Sequence, residues 1–146
     1  GDSMPIIETT WETAEMVKYM NNCFFATKVS FMNEMKLVAE KQGNIDWDMA
    51  VEGFIRDGRV GHSHIHVPGP DGKKGFGGSC FPKDMQAMIS FGEDLGMDLN
   101  TLQGAWETNC EVRPERDWEK LEGRAIVTET KNGETKYRQE TTKRSS

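Results

Sequence analysis

At 146 residues, the chain is long enough for one domain with its own core, and its polar composition (36% hydrophobic, 29% charged) contains no apolar run near the roughly 20 residues that span a bilayer. A net charge of −6 argues against a nucleic-acid surface as the main function. Three cysteines, Cys23, Cys80 and Cys110, are odd in number and lack C-x-x-C spacing, which fits reduced thiols in a cytoplasmic protein rather than a disulfide framework.

Residues 1–8 read as a leader or cloning remnant. Thr9 and Glu12 then form a capping box, with Thr9 as N-cap and Glu12 at the third helical position. Neither Gly nor Pro interrupts residues 10–42, and Gly43 supplies a C-cap, so a helix of about 30 residues and roughly 45 Å is expected. That exceeds the roughly 40 Å diameter of a compact domain of this size. Phe24, Phe25, Val29, Phe31, Met32, Met35, Leu37 and Val38 make the helix apolar around much of its circumference, which calls for neighbours on several sides and points to a dimer interface. No strict heptad persists, so a self-standing coiled coil is not expected. Lys18 and Asn22 are four apart and share a face. Together they suit a developing negative oxygen, or else belong to a solvated polar face. Cys23, beside Phe24 on another face, reads as a small core residue.

Asp46 is the expected N-cap of a second helix with Trp47, Val51, Phe54 and Ile55 on its apolar face, ended by Gly58. Residues 57–79 then form a long loop rich in Gly, Pro, His and Lys, a length usually reserved for function. Arg59, Lys73 and Lys74 offer it charge for an anionic ligand. The run Gly75-Phe76-Gly77-Gly78-Ser79-Cys80-Phe81-Pro82-Lys83-Asp84 delivers a cysteine to a helix start, with Pro82 expected at the first helical position. Free N–H groups and the helix dipole there favour a thiolate, Lys83 adds positive charge, and Asp84 is a carboxylate able to handle protons or water. The bland alternative is a helix start that contains a cysteine.

This third helix is expected to run to Leu95 and close at Gly96. A fourth follows, capped by Asp98 or Asn100, with Leu102, Ala105, Trp106 and Val112 on its core side. Pro114 marks a break, and a helical turn is expected within 117–121. Asn132-Gly133, flanked by two β-prone segments, signals a hairpin within 124–146, or else a flexible tail. His62, His64 and His66 alternate, but no ligand-spaced cysteine or carboxylate pair accompanies them, so the reading is a polar loop without metal; His66 is a second candidate base for Cys80. Gly75-x-Gly77 has no preceding strand, and Cys80 occupies the third glycine position, so it is not a dinucleotide fingerprint.

The run from Gly75 to Asp84 resembles the catalytic-cysteine signature of the UDP-glucose/GDP-mannose dehydrogenase family. Glu15-Met16-Val17-Lys18-Tyr19-Met20-Asn21-Asn22, followed by Phe25-Ala26-Thr27-Lys28-Val29-Ser30-Phe31-Met32-Asn33-Glu34, resembles the family's central helix, and Asp57-Gly58-Arg59-Val60-Gly61 a third block. The resemblance spans residues 13–121. It implies an all-α central domain over 9–123, related to the C-terminal domain of 6-phosphogluconate dehydrogenase, that carries the catalytic cysteine and dimerises through the long helix. It further implies NAD as cofactor and a UDP-sugar as substrate. Val67-Pro68-Gly69-Pro70-Asp71-Gly72 and Phe81-Pro82 look more like the UDP-glucose branch than the GDP-mannose or UDP-N-acetylhexosamine branches.

Under that resemblance Cys80 is the nucleophile, Lys18 and Asn22 stabilise oxyanions, and Asp84 is the base. Lys83 approaches the cofactor. Arg59 reaches the substrate of a neighbouring subunit, and Lys73 and the backbone at Phe76 and Gly77 hold the nucleotide sugar. The family's Rossmann domain is not in this sequence, so the expectation is a piece of a longer enzyme or a naturally reduced protein, inactive alone. The rival expectation is a non-catalytic dimerisation or sugar-nucleotide-binding module.

Overall fold

The computed structural model describes residues 11–121, and within them every regular element is helical. The elements are α1 (Trp11–Gln42), α2 (Trp47–Ile55), α3 (Cys80–Asp94) and α4 (Asn100–Val112), with a short helical turn at 118–121. The expected Thr9 cap, the leader and the Asn132-Gly133 hairpin lie outside the described residues.

Helix α1 has 32 residues, or about 48 Å of rise, and it is the spine of the domain. Gly43 ends it at φ +79°, and its N–H bonds the Ala39 carbonyl at 3.0 Å. Two cores form along it. Towards its middle, Ala26 packs with Phe76, Met85 and Ala105, walled by Val29, Phe81, Ile89, Leu102 and Trp106. Further on, Met32 meets Ile65 and Val67 from the long loop, with Trp47, Val51 and Ile55 of α2 closing over them. Those α2 residues recur every fourth position, the spacing that puts a stripe on one helix face. Phe54 falls off that stripe and meets Phe31 instead, at 6.4 Å between ring centroids.

Helix α3 runs antiparallel to the first half of α1. Phe81 is linked to Phe25 through the intervening His64 ring, Asp84 meets Asn22, and Asp94 shares a groove with Glu12. The bond from Ser30 Oγ to the Ala105 carbonyl, 2.7 Å, fixes α4 on another side of α1.

Three local expectations are corrected. Helix α3 begins at Cys80, so Pro82 is its third residue and not its first. The first four N–H groups of a helix have no intrahelical acceptor, so proline fits there equally well. The helix also stops at Asp94, with Leu95 as its cap. Neither Asp98 nor Asn100 caps α4; Leu99 holds the N-cap position without a side-chain bond. It is drawn there by packing, because its side chain lies where a Cβ on Gly92 would be. By contrast, Asp46 caps α2 as expected, accepting the Met49 N–H at 3.1 Å.

Val17, Phe24, Phe31 and Val38 recur every seven residues along α1, and all four are exposed, as are Met20 and Met35. This row is an exposed apolar seam, but the positions three further on are Met20, Thr27, Glu34 and Lys41, so it is not the full heptad of a coiled coil.

Candidate active site

The site is built on the crossing of α1 and α3. Asn22 Nδ2 donates to Asp84 Oδ2 at 2.6 Å, and the carboxylate is 1% exposed. Its other oxygen, Oδ1, is in ion-pair contact with Lys83 Nζ at 3.2 Å but lacks hydrogen-bond geometry. Burying a carboxylate is costly unless it is paired, and here an amide and an ammonium do the pairing. Cys80 is the first residue of α3, is exposed, and lies one turn before Asp84 on the same flank. The structure therefore joins Asn22, Lys83 and Asp84 directly and places Cys80 a turn away.

Lys18 is one turn before Asn22 on α1 and exposed, with Nζ 5.1 Å from the Tyr19 ring centroid. Arg59 is also on the surface, its side chain 87% exposed and folded onto Asp57, which accepts from Nη2 at 2.7 Å and from the Arg59 N–H at 2.9 Å. These bonds, the backbone one foremost, hold the Asp57 carboxyl below its ordinary range.

The other two cysteines differ in kind. Cys23 is 5% exposed, and burial, aided by the Asp84 charge, pushes its thiol up to about 11. Burial also raises the Cys110 thiol, although Arg116 Nη1 donates to its sulfur at 3.3 Å.

Of the three histidines, His64 is the one built into the site's wall. It adopts φ +61° and stacks on Phe25 at 4.5 Å, with Phe81, the neighbour of Cys80, at 5.6 Å. Burial, then the charge of Lys28, lowers its pKa and favours the neutral ring. Lys28 itself donates to the Gly61 carbonyl at 3.0 Å and ties the loop to α1. No group of three potential metal ligands converges among the described residues.

The glycine run before Cys80 is held by residues that inspection of the sequence passed over. Asn33 Oδ1 accepts the Gly75 N–H at 3.2 Å. Asn109 grips Phe76 at both ends, accepting its N–H at 2.7 Å and donating to its carbonyl at 2.9 Å. Asp117 accepts the Gly78 N–H at 3.1 Å. Arg113, 2% exposed, donates to the Lys74 and Gly75 carbonyls at 3.0 and 3.2 Å. It also donates to Asp71 at 2.6 Å and to Asp117 at 2.8 Å. Its hydrogen bond holds Asp71 below the usual carboxylate range. For Asp117, burial pushes upward but is outweighed by the Arg113 and Gly78 hydrogen bonds. Gly77 carries no side chain because its Cα lies against the guanidinium, where an added Cβ would collide. Lys73 is on the loop's outer side, 3.9 Å from Glu115.

An exposed thiol at a helix start, one turn from a buried carboxylate fixed by an amide on the facing helix, defines a helical domain with a candidate nucleophile and base. Residues 12–111 match the central domain of the UDP-glucose/GDP-mannose dehydrogenase family, and the chain belongs to that family. It is 42% identical over 123 residues to UDP-glucose 6-dehydrogenase of Rhizobium meliloti (strain 1021), covering 84% of this chain and 25% of that protein. It is 37% identical over 109 residues to UDP-glucose 6-dehydrogenase TuaD of Bacillus subtilis (strain 168), covering 75% of this chain and 22% of that protein. UDP-glucose 6-dehydrogenase AglM of Haloferax volcanii is 35% identical over 112 residues, 77% of this chain and 24% of its own length. The chain thus spans about a quarter of the length of the curated relatives it matches. No helix among the described residues is long and apolar enough to cross a membrane.

Proposed function

We propose that this chain is the catalytic-cysteine and dimerisation domain of an NAD-dependent dehydrogenase that oxidises the C6 alcohol of UDP-glucose to the carboxylate of UDP-glucuronate. The observation that carries the reading is the Asn22–Asp84 bond placed one turn from exposed Cys80. NAD would supply the hydride acceptor, and Lys83 is the residue of this chain we assign to it. The glycine run is no diphosphate cradle, because its N–H groups at Gly75, Phe76 and Gly78 are already bonded to Asn33, Asn109 and Asp117.

The chain's own residues act around the aldehyde level. Cys80 adds its sulfur to the C6 aldehyde carbon and the thiol proton goes to the oxygen, giving a thiohemiacetal. Asp84 occupies one N–H of the Asn22 amide and leaves the second for that oxygen, while Lys18 contributes positive charge from the same helix face. At the thioester level, water attacks the carbonyl carbon and Asp84 takes its proton. The C–S bond then breaks and Cys80 returns as thiolate. Lys73 and the Gly77 peptide hold the nucleotide sugar, and Phe76, its own N–H and carbonyl spent on Asn109, sets the shape of that wall.

The 6-aldehyde of UDP-glucose should slow alkylation of Cys80 by about tenfold or more at saturation, as expected when a site thiol is reversibly capped, and glucose 6-aldehyde without the nucleotide should not. Binding of the UDP-sugar without protection of Cys80 would instead establish a non-catalytic sugar-nucleotide module.

We assign the exposed seam of α1 to a homodimer. Phe24 and Phe31 supply its aromatic contacts, and exposed Arg59 would exchange its Asp57 pairing for the partner's substrate. Sedimentation velocity should show a dimer that Phe24→Glu converts to a monomer with unchanged helicity. A monomeric parent protein at micromolar concentration would refute the assignment.

A further inference from the structure

We propose that Arg113, with Asp71 and Asp117, is a positioning element that couples the nucleotide-sugar loop to the geometry of Cys80; the proposal rests on Cys80 being the reacting thiol. The side chains form one unbroken path. Asp71 Oδ1 accepts the Lys73 N–H at 3.0 Å, and Asp71 Oδ2 accepts from Arg113 at 2.6 Å. Arg113 Nε donates to Asp117 Oδ1 at 2.8 Å, and Asp117 Oδ2 accepts the Gly78 N–H at 3.1 Å, two residues before Cys80. One end of the path is the backbone of the loop's outer cation, Lys73, and the other is the backbone leading into the thiol.

The choice of residue is informative. Neutral Asn109 shows that an amide suffices to hold a loop peptide in this core. Burying a guanidinium is costlier, and breaking its pairs strands a charge. What arginine adds is a rigid planar fork whose donors address two carboxylates and two carbonyls at once, which neither an amide nor a lysine can do. Gly77 is part of the same device, because any side chain there would displace the fork. Movement at Asp71 is therefore transmitted to Gly78 through a rigid group rather than absorbed by a flexible loop.

The test uses the full chain and two readouts: the rate of Cys80 alkylation by iodoacetamide, and the concentration of the 6-aldehyde of UDP-glucose that half-protects it. Asp71→Asn lies at the half-exposed end and keeps the shape of the site. It should lower the alkylation rate and raise the half-protecting concentration, each by about threefold or more, the size of effect that a sub-ångström misplacement produces. Arg113→Lys, which keeps the charge without the fork, should reproduce both shifts and not rescue them. Labelling of Cys23 and Cys110 should be unchanged in variants whose circular dichroism matches the parent. If Asp71→Asn and Asp117→Asn fold and melt lower while both readouts stay within a factor of about 1.5, the network is structural only and the proposal is overturned. Failure of the underlying reading is distinguishable, since the aldehyde would then not protect Cys80 in the parent protein.

Discussion

Replacing Asn109 by alanine should lower the melting temperature by about 10–20 °C. The side chain is fully buried, and it is the partner of both the N–H and the carbonyl of Phe76. Truncation leaves those two groups without a partner in a dry core, at about 1–3 kcal/mol each. A total of about 3–4 kcal/mol, at about 3–5 °C per kcal/mol for a domain of this length, gives the stated fall. Asn109→Asp should also lose stability, because it keeps an acceptor for the Phe76 N–H but turns a carboxylate oxygen towards the Phe76 carbonyl. Thermal unfolding followed by circular dichroism would decide this. A drop below about 5 °C for the alanine variant would mean that water enters and replaces both bonds.

Cys80 should react with iodoacetamide at pH 8 about a hundredfold faster than Cys23, or more. Cys23 has a thiol pushed up to about 11, so only about one molecule in a thousand is thiolate at that pH, and burial limits access further. Between pH 7 and 9 the Cys23 rate should climb about tenfold per unit, as for any thiol far below its pKa. Cys110, half-buried with its thiol also raised, should fall between the two. Peptide mass spectrometry of timed aliquots resolves all three sites, and unfolding in urea should bring the rates together. Equal, slow labelling of all three in the native protein would sink the activated-thiol reading.

The helices were readable in the sequence because their signals are local. The uninterrupted run before Gly43, Asp46 ahead of Trp47, and the glycine run before Cys80 each mark an element within a few residues. The family resemblance gave Asn22 and Asp84 roles in one reaction but not their direct bond, since a contact across 62 positions leaves no local trace. The clamp of Asn33, Asn109, Arg113 and Asp117 was missed for the same reason. Its one sequence trace is that Ala105, Asn109 and Arg113 follow one another every fourth residue along the face where Leu102 and Trp106 already indicated core. A polar side chain in such a register is a sign of a buried partner. The expectation of an Asp98 or Asn100 cap failed for a different reason, because packing of Leu99 onto Gly92 outweighed their capping preference.

Because α1 carries Asn22, both cores and the exposed seam on one rigid rod, its residues share a single rotational phase. One residue inserted between Ala26 and Met32 would turn the first half by about 100° against the second, moving Asn22 off Asp84 and splitting the seam. The loop at 57–79 has no such phase to lose at its outer tip. Length variation in this fold should therefore accumulate in the loop and be almost forbidden in the spine, so that the reading frame of α1 behaves as a gauge against which the rest of the domain is aligned.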